Sequence, residues 1–397
     1  MTIRTTHVGS LPRTPELLAA NARRARKDPG MSEEAFAAVL RSAVGDVVRR
    51  QHEIGLSVIN DGEYGHIMTE SVDYGAWWFY SFSRLGGLEM TTDSRFDMAP
   101  PAPGGKVRLA PFSQRRDWVR FHDAYTDPSS GIHIANQRAT AFPTITGPLR
   151  YIGQDAVRRD IDGLLSALAD NGLNVSDGFL AALSPGSAAR ISNAYYANDT
   201  EVVQACADAL HQEYKAITDA GLTVQIDDPS IAESWDQINP APSVADYRDY
   251  IQVRIDALNQ ALEGIPVDQV RFHVCWGSWH GPHTTDIPLA EIVDKVLQVH
   301  AHGYSFEAAN ARHEHEWTVW HDVKLPSDKV LIPGVVGHST NVVEHPQLVA
   351  QRIQRFVDAV GPDRVIASTD CGLGGRVHPS IAWAKLESLA AGAALVG

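Results

Sequence analysis

The sequence predicts an α/β protein folded as a closed (β/α)8 TIM barrel, and three observations carry that expectation. Short β-type runs alternate with helical stretches along the whole chain. Eight such runs occur, and no Pro-, Gly- or Ser-rich linker divides them. The polar residues of greatest chemical interest fall at or just beyond the ends of these runs. Alternation implies a parallel sheet, eight units imply closure, and the C-terminal rim of such a barrel is where active sites are built. The 397 residues then form a single catalytic domain, because α/β barrels routinely exceed the average domain length. A doubly wound open sheet is the alternative.

Taken in order, THVGS (6–10) opens the series and an amphipathic helix follows over 32–54. In it Phe36, Val39, Leu40, Val44, Val47 and Val48 recur at helical spacing, with Arg41, Arg49 and Arg50 off the stripe. Gly55 stops the helix. LSVINDGE (56–63) reads as the second strand, AFPTITG (141–147) as the third and VQIDDP (224–229) as the fourth. RFHVCWG (271–277), SFEAAN (305–310), VLIPGVVG (330–337) and RVIASTDCG (364–372) complete the eight. NVSDGFLAA (174–182) is an ambiguous ninth segment, placed in the long connection after the third strand. Residues 64–140 form a long insert after the second strand, expected near the barrel mouth. Its aromatic run Trp77, Trp78, Phe79 and Tyr80 reads first as a packed subdomain and second as a cap on the pocket.

Bulk composition narrows the function. Apolar residues make up 44% of the chain, ample for a large core. Lys and Arg total 34 against 48 Asp and Glu, a formal charge of −14 with no basic block, which argues against nucleic acid or an anionic membrane as partner. Three cysteines do not make a disulfide framework. The opening MTIRTTHVGSLPRT lacks the apolar core of a signal peptide, and no run approaches the ~20 apolar residues that span a bilayer. A cytoplasmic protein is expected.

Ser10, Asp61, Glu63, Asp227, Asp228, His273, Cys275, Glu307, His338 and Cys371 all sit at proposed strand ends. One buried polar residue there is unremarkable, but ten spread over the ends of seven strands point to a site. His273 and Cys275 are two apart on a strand and so share a face. Imidazole and thiolate on one face make half of a tetrahedral zinc site, which Glu307 and Cys371 could complete. Sulfur with nitrogen favours zinc over magnesium or calcium. Cys206, in the helix-like EVVQACADAL, reads as a small buried hydrophobe. A rival cluster of His280, His283, His313 and His315 reads as hydrogen-bonding or substrate-facing.

Seven separated motifs together resemble one known family. THVGSLPRT, INDGE, VQIDDP, HVC, SFEAAN, GHS and DCGLGGR follow the order seen in the catalytic C-terminal barrel of cobalamin-independent methionine synthase. The chain also resembles the single-barrel relatives of that family, which include epoxyalkane:coenzyme M transferases, and the barrel superfamily is shared with uroporphyrinogen decarboxylase. The resemblance implies zinc on His273, Cys275, Glu307 and Cys371. It implies amino-acid substrate contacts at Ser10, Glu63 and Asp227, and a catalytic His338 that donates or shuttles a proton. The expected activity is zinc-dependent transfer of an alkyl group, a methyl group first, to a small thiol such as homocysteine. The alternative is thiol addition to an epoxide, or C–S cleavage, with coenzyme M. Coenzyme M carries a sulfonate and no ammonium, so retention of Glu63 and Asp227 favours the amino-acid thiol. The family's His-Gly-Glu is Asp61-Gly62-Glu63 here, and the chain is too short for the synthase's N-terminal barrel, so the folate donor and any homo-oligomer stay open.

Overall fold

The computed structural model describes residues 3–68, 76–90, 98–132 and 143–396. Its strands, in chain order, are β1 (Arg4–Thr5), β2 (Leu85–Met90), β3 (Pro143–Tyr151), β4 (Phe179–Leu183) and β5 (Ser192–Asn193). Then come β6 (Thr223–Asp228), β7 (Val270–Val274), β8 (Gly303–Phe306), β9 (Val330–Val336) and β10 (Ile366–Thr369). Seven of these make one curled parallel sheet, in the order β1-β10-β9-β8-β7-β6-β4. Between its outer strands runs segment 57–59. Ser57 and Val58 donate to the Thr5 carbonyl, each at 3.0 Å, while Ile59 donates to Asp177 at 2.8 Å and accepts from Phe179 at 2.9 Å.

The third strand is a correction. AFPTITG does not join the parallel sheet: β3 pairs antiparallel with β2 and parallel with β5 in a separate three-stranded sheet. The stave comes instead from the ambiguous ninth segment, as β4, which pairs parallel with β6. Burial explains the difference. Phe179–Leu183 is buried at every position, as a strand covered on both faces must be, whereas β3 mixes buried and exposed positions, as a half-covered strand does. The connection that leaves the parallel sheet is therefore longer than residues 64–140.

The helices form where their stripes predict. Glu33–Glu53 is capped by Ser32, whose side chain accepts the Ala35 amide, and it buries Phe36, Leu40, Val44, Val47 and Val48. Gly55 follows it with φ of +94°, the left-handed geometry that ends a helix cheaply only at glycine. Cys206 is fully buried in the helix Asp199–Asp219, and burial pushes its thiol up to about 12. No helix among the described residues is long and apolar enough to cross a membrane.

The register of the parallel sheet levels the functional residues. Asp227 lies opposite His273, and His273 opposite Ser305. Below them Arg271 lies inside the curl, with Nε on Gln225 Oε1 at 2.7 Å, one terminal nitrogen on Thr6 Oγ1 at 3.0 Å and the other on the His7 carbonyl at 2.6 Å.

Arg84 ties the inserted segment to the main body. It is 5% exposed, pairs with Asp160, and reaches Glu213 at 2.7 Å, while Tyr80 donates to the same Glu213. Side chains 77–79 of the aromatic run lie outside the described residues. Arg84→Met would leave Glu213 buried without its cation, and a loss of about 3–5 kcal/mol is expected. Urea unfolding of the purified variant checks this through a lowered midpoint at unchanged slope; a shift under about 0.5 kcal/mol would mean the network is not holding the insert.

Candidate metal centre and its pocket

β7 ends at Val274, so His273 and Cys275 straddle its end and point to one side. The structure brings the donor atoms of His273, Cys275 and Cys371 within 4.8 Å of one another. Nδ1 of His273 bonds Ser305 Oγ at 3.2 Å, which orients the ring, and its buried Nε2 has no hydrogen-bond partner. The Gly277 amide donates to Cys275 Sγ at 3.2 Å. A hydrogen bond from Cys275, with the imidazoles of His273 and His338 nearby, holds Cys371 well below the usual thiol range; the same hydrogen bond, with burial, pushes Cys275 up. Soft donors and an orphaned imidazole nitrogen are what a zinc-type cation would satisfy.

Glu307 stands in a second group, with His338 and Asp370, whose donor atoms also lie within 4.8 Å of one another. Glu307 Oε1 accepts the Trp276 amide at 3.0 Å and Oε2 accepts from Asn310 at 2.7 Å. The first of these bonds links Glu307 to the strand end carrying Cys275. Burial pushes Glu307 up to about 8. Burial also depresses His338 to about 3, leaving a neutral ring with Nδ1 unpartnered.

Asp370 was missed from the sequence, although DCG contains it. Its Oδ1 accepts the amides of Ala308 and Ala309 at 2.7 and 2.8 Å, and Oδ2 accepts from Asn310 at 3.1 Å. It thus clamps the chain after β8 and fixes its own neighbour, Cys371. A Cβ on Gly334 would come within 2.2 Å of Oδ1 and 2.5 Å of the Asp370 Cα, so only glycine fits there.

The facing wall is acidic. Glu63 adopts φ of +58°, held by Asp61 Oδ1 accepting its amide at 2.9 Å. Its carboxylate comes within 2.1 Å of where a Cβ would sit on Gly9. Ser10 follows at once, with Arg13 donating to its hydroxyl at 2.7 Å. Asp227 accepts from Gln225 at 2.7 Å, and Arg271 in turn holds that Gln225. Burial, then the charges of Glu63 and Cys371, push Asp227 well up. Asp228 points elsewhere, accepting from Ser187 Oγ and the Ser230 amide, each at 3.0 Å. Strand alternation separates the two aspartates.

The rival histidines hydrogen-bond instead of clustering as donors. His313 meets Glu316 at 2.8 Å and Asp286 at 3.1 Å; His283 meets Asp286 at 3.2 Å and the Trp279 carbonyl at 3.0 Å. Burial opposes charge on His313, but these carboxylates raise it to about 10. His315 is exposed, and His280 contacts the His338 carbonyl at 3.3 Å.

Residues 3–76 and 178–394 match a family model described as "Cobalamin-independent synthase, Catalytic domain". The stretch it skips contains β2 and β3. A methionine synthase of Thermococcus kodakarensis is 24% identical over 99% of this chain and 93% of its own length. A 2-hydroxypropyl-CoM lyase of Xanthobacter autotrophicus is 23% identical over 100% of this chain and 95% of its own. Against the 5-methyltetrahydropteroyltriglutamate–homocysteine methyltransferase of Thermotoga petrophila, 24% identical, the match spans only 33% of that protein. Among solved structures, a B12-independent methionine synthase from a Shewanella species, in complex with selenomethionine, aligns with a TM-score of 0.66 at 17% identity, covering 100% of this chain and 98% of that one.

The opposite shifts of the two thiols predict an order of reactivity. In metal-stripped protein at neutral pH, iodoacetamide is expected to alkylate Cys371 first, because its thiol is held below the usual range and it is partly exposed. Peptide mapping by mass spectrometry checks this; faster labelling of Cys275 or Cys206 would contradict it.

Proposed function

The chain belongs to the cobalamin-independent synthase catalytic-domain family, and from that premise we propose that it transfers an alkyl group, a methyl group first, to a small amino-acid thiol of the homocysteine type at a zinc centre. The observation that carries this reading is the approach of the His273, Cys275 and Cys371 donors to one another, with Asp227 opposite His273 in the strand register. His273, Cys275 and Cys371 would hold zinc, with Glu307 as the fourth ligand once it gives up the proton that burial leaves on it. Bound there, zinc supplies Lewis acidity that deprotonates an incoming thiol, whose free pKa is about 8.5.

The remaining work falls to the chain. Glu63 and Asp227 receive the ammonium of the thiol substrate, and Ser10 lies beside them. That contact fixes the reacting sulfur in position, which is worth as much as its activation. Gln225 and Arg271 hold the Asp227 carboxylate in place from below. His338 starts neutral, with Nδ1 open, and relays a proton toward the leaving group. The framework for this is an eight-stave closed barrel, with segment 57–59 as the second stave. The described part of the 64–140 insert lies against its mouth. That placement is supported by Asp117, which accepts the Thr284 and His283 amides at 3.0 and 3.1 Å, and by Trp279, whose indole donates to Tyr125 at 2.9 Å.

A second reading, epoxide opening or C–S cleavage with a sulfonated thiol, is favoured by the near full-length match to the Xanthobacter lyase. The paired acids weigh against it, since a sulfonate beside Glu63 and Asp227 is repelled.

Purified protein is expected to carry about one equivalent of zinc, lost on Cys371→Ser. In a thiol screen, homocysteine should be the alkyl acceptor; turnover with coenzyme M instead would replace this reading with the second. His338→Ala should keep its metal while turnover falls about 10²–10⁴-fold. Loss of zinc from that variant would refute the role given to His338.

A further inference from the structure

Asp61 lines a crevice of about 340 Å³ between the helices Glu33–Glu53 and Gln154–Asp170, at the lower end of the size range for small-molecule sites. One wall is apolar, made by Ala37, Leu40 and Val44. Arg41 and Arg158 are exposed at its edge, Arg158 against Asp155 at 3.7 Å, and Asp162 lies on the same rim. Asp61 is only 4% exposed, and its Oδ1 accepts the Glu63 amide. Among the described residues no basic side chain forms an ion pair with it. Its neighbour Asp160 differs, being paired with both Arg84 and Arg159. Burial, and then the charge of Asp160, push Asp61 up to about 7, the mark of an acid without a cation. Across the crevice, a Cβ built on Gly163 would meet nothing within 4 Å.

We propose that this crevice binds a free α-amino acid with a mid-sized apolar side chain, its ammonium on Asp61, its side chain along Ala37, Leu40 and Val44, and its carboxylate toward Arg41 and Arg158. Each part of that ligand answers a feature of the site. An alkylamine would satisfy the acid and leave the Arg41 guanidinium, which no carboxylate among the described residues pairs, unanswered. A fatty carboxylate would meet the arginines and leave its apolar end over a buried acid. Asp61 also holds the amide that sets the left-handed backbone of Glu63, so an occupant here touches the residue that shapes the substrate pocket. The inference stands apart from the alkyl-transfer reading, because none of the sulfur, imidazole or carboxylate metal donors lines the crevice.

The test removes the other amino-acid site first. Asp227→Asn protein, titrated calorimetrically with L-norleucine, is expected to show saturable binding with a dissociation constant of about 1 mM or tighter. Adding Gly163→Leu fills the crevice and should abolish that heat; leucine improves on glycine in a helix, so the melting temperature should hold or rise. Adding Asp61→Asn instead, which keeps an acceptor for the Glu63 amide, should weaken binding at least about 10-fold, and n-hexylamine and hexanoate should each bind more weakly than norleucine. No saturable binding in Asp227→Asn protein, or binding untouched by Gly163→Leu and Asp61→Asn, would overturn the proposal.

Discussion

The register of β6, β7 and β8 is the constraint on which the rest of the mouth depends. Side chains alternate along a strand, so a slip of one residue would send His273 and Asp227 to the far face together. Parallel pairing sets Asp227 opposite His273, and His273 opposite Ser305. From that level row, Cys275 emerges just past the strand end and Asp228 turns away to its serines. Arg271 supports the register from within, since one guanidinium reaches β6 and the chain after β1. A buried cation of this kind stabilises only when its donors are met, and here Gln225, Thr6 and the His7 carbonyl meet them.

Above that layer the mouth gathers groups whose charge the fold itself does not satisfy. Asp227, Glu307 and Asp370 are all raised by burial, His338 is lowered by it, and the thiols of Cys275 and Cys371 are pushed in opposite directions. Such a collection costs stability unless something arrives to complete it. A cation at the sulfurs and an ammonium at the acids complete it from two sides, which is why the metal and the amino-acid thiol belong to one reading. A methionine synthase and a CoM lyase each match nearly the whole chain, so relatives with differently named activities share its length and order.

Much of this was legible in the sequence, for definite physical reasons. HVC announced its shared face because strand periodicity is two, and the helix over 33–53 announced its buried stripe. The third strand was misplaced because AFPTITG and FLAAL are both short apolar runs; their burial patterns, mixed in one and continuous in the other, separate a half-covered strand from a fully covered one. Asp370 went unnoticed because its work is done through backbone amides at Ala308 and Ala309, which no side-chain motif records. The grouping of Glu307 with His338 and Asp370 depends on the loop after β8, and the crevice at Asp61 on two helices far apart in the chain.

The central claim is that the sulfur and imidazole donors at the end of β7 and beyond β10 hold zinc in order to present an amino-acid thiol. Zinc-edge X-ray absorption of the purified protein, recorded with and without homocysteine, addresses it most directly. The account predicts a resting shell with two sulfurs at about 2.3 Å, rising to three when homocysteine is added. A shell of nitrogen and oxygen alone, or one that homocysteine leaves unchanged, would contradict it.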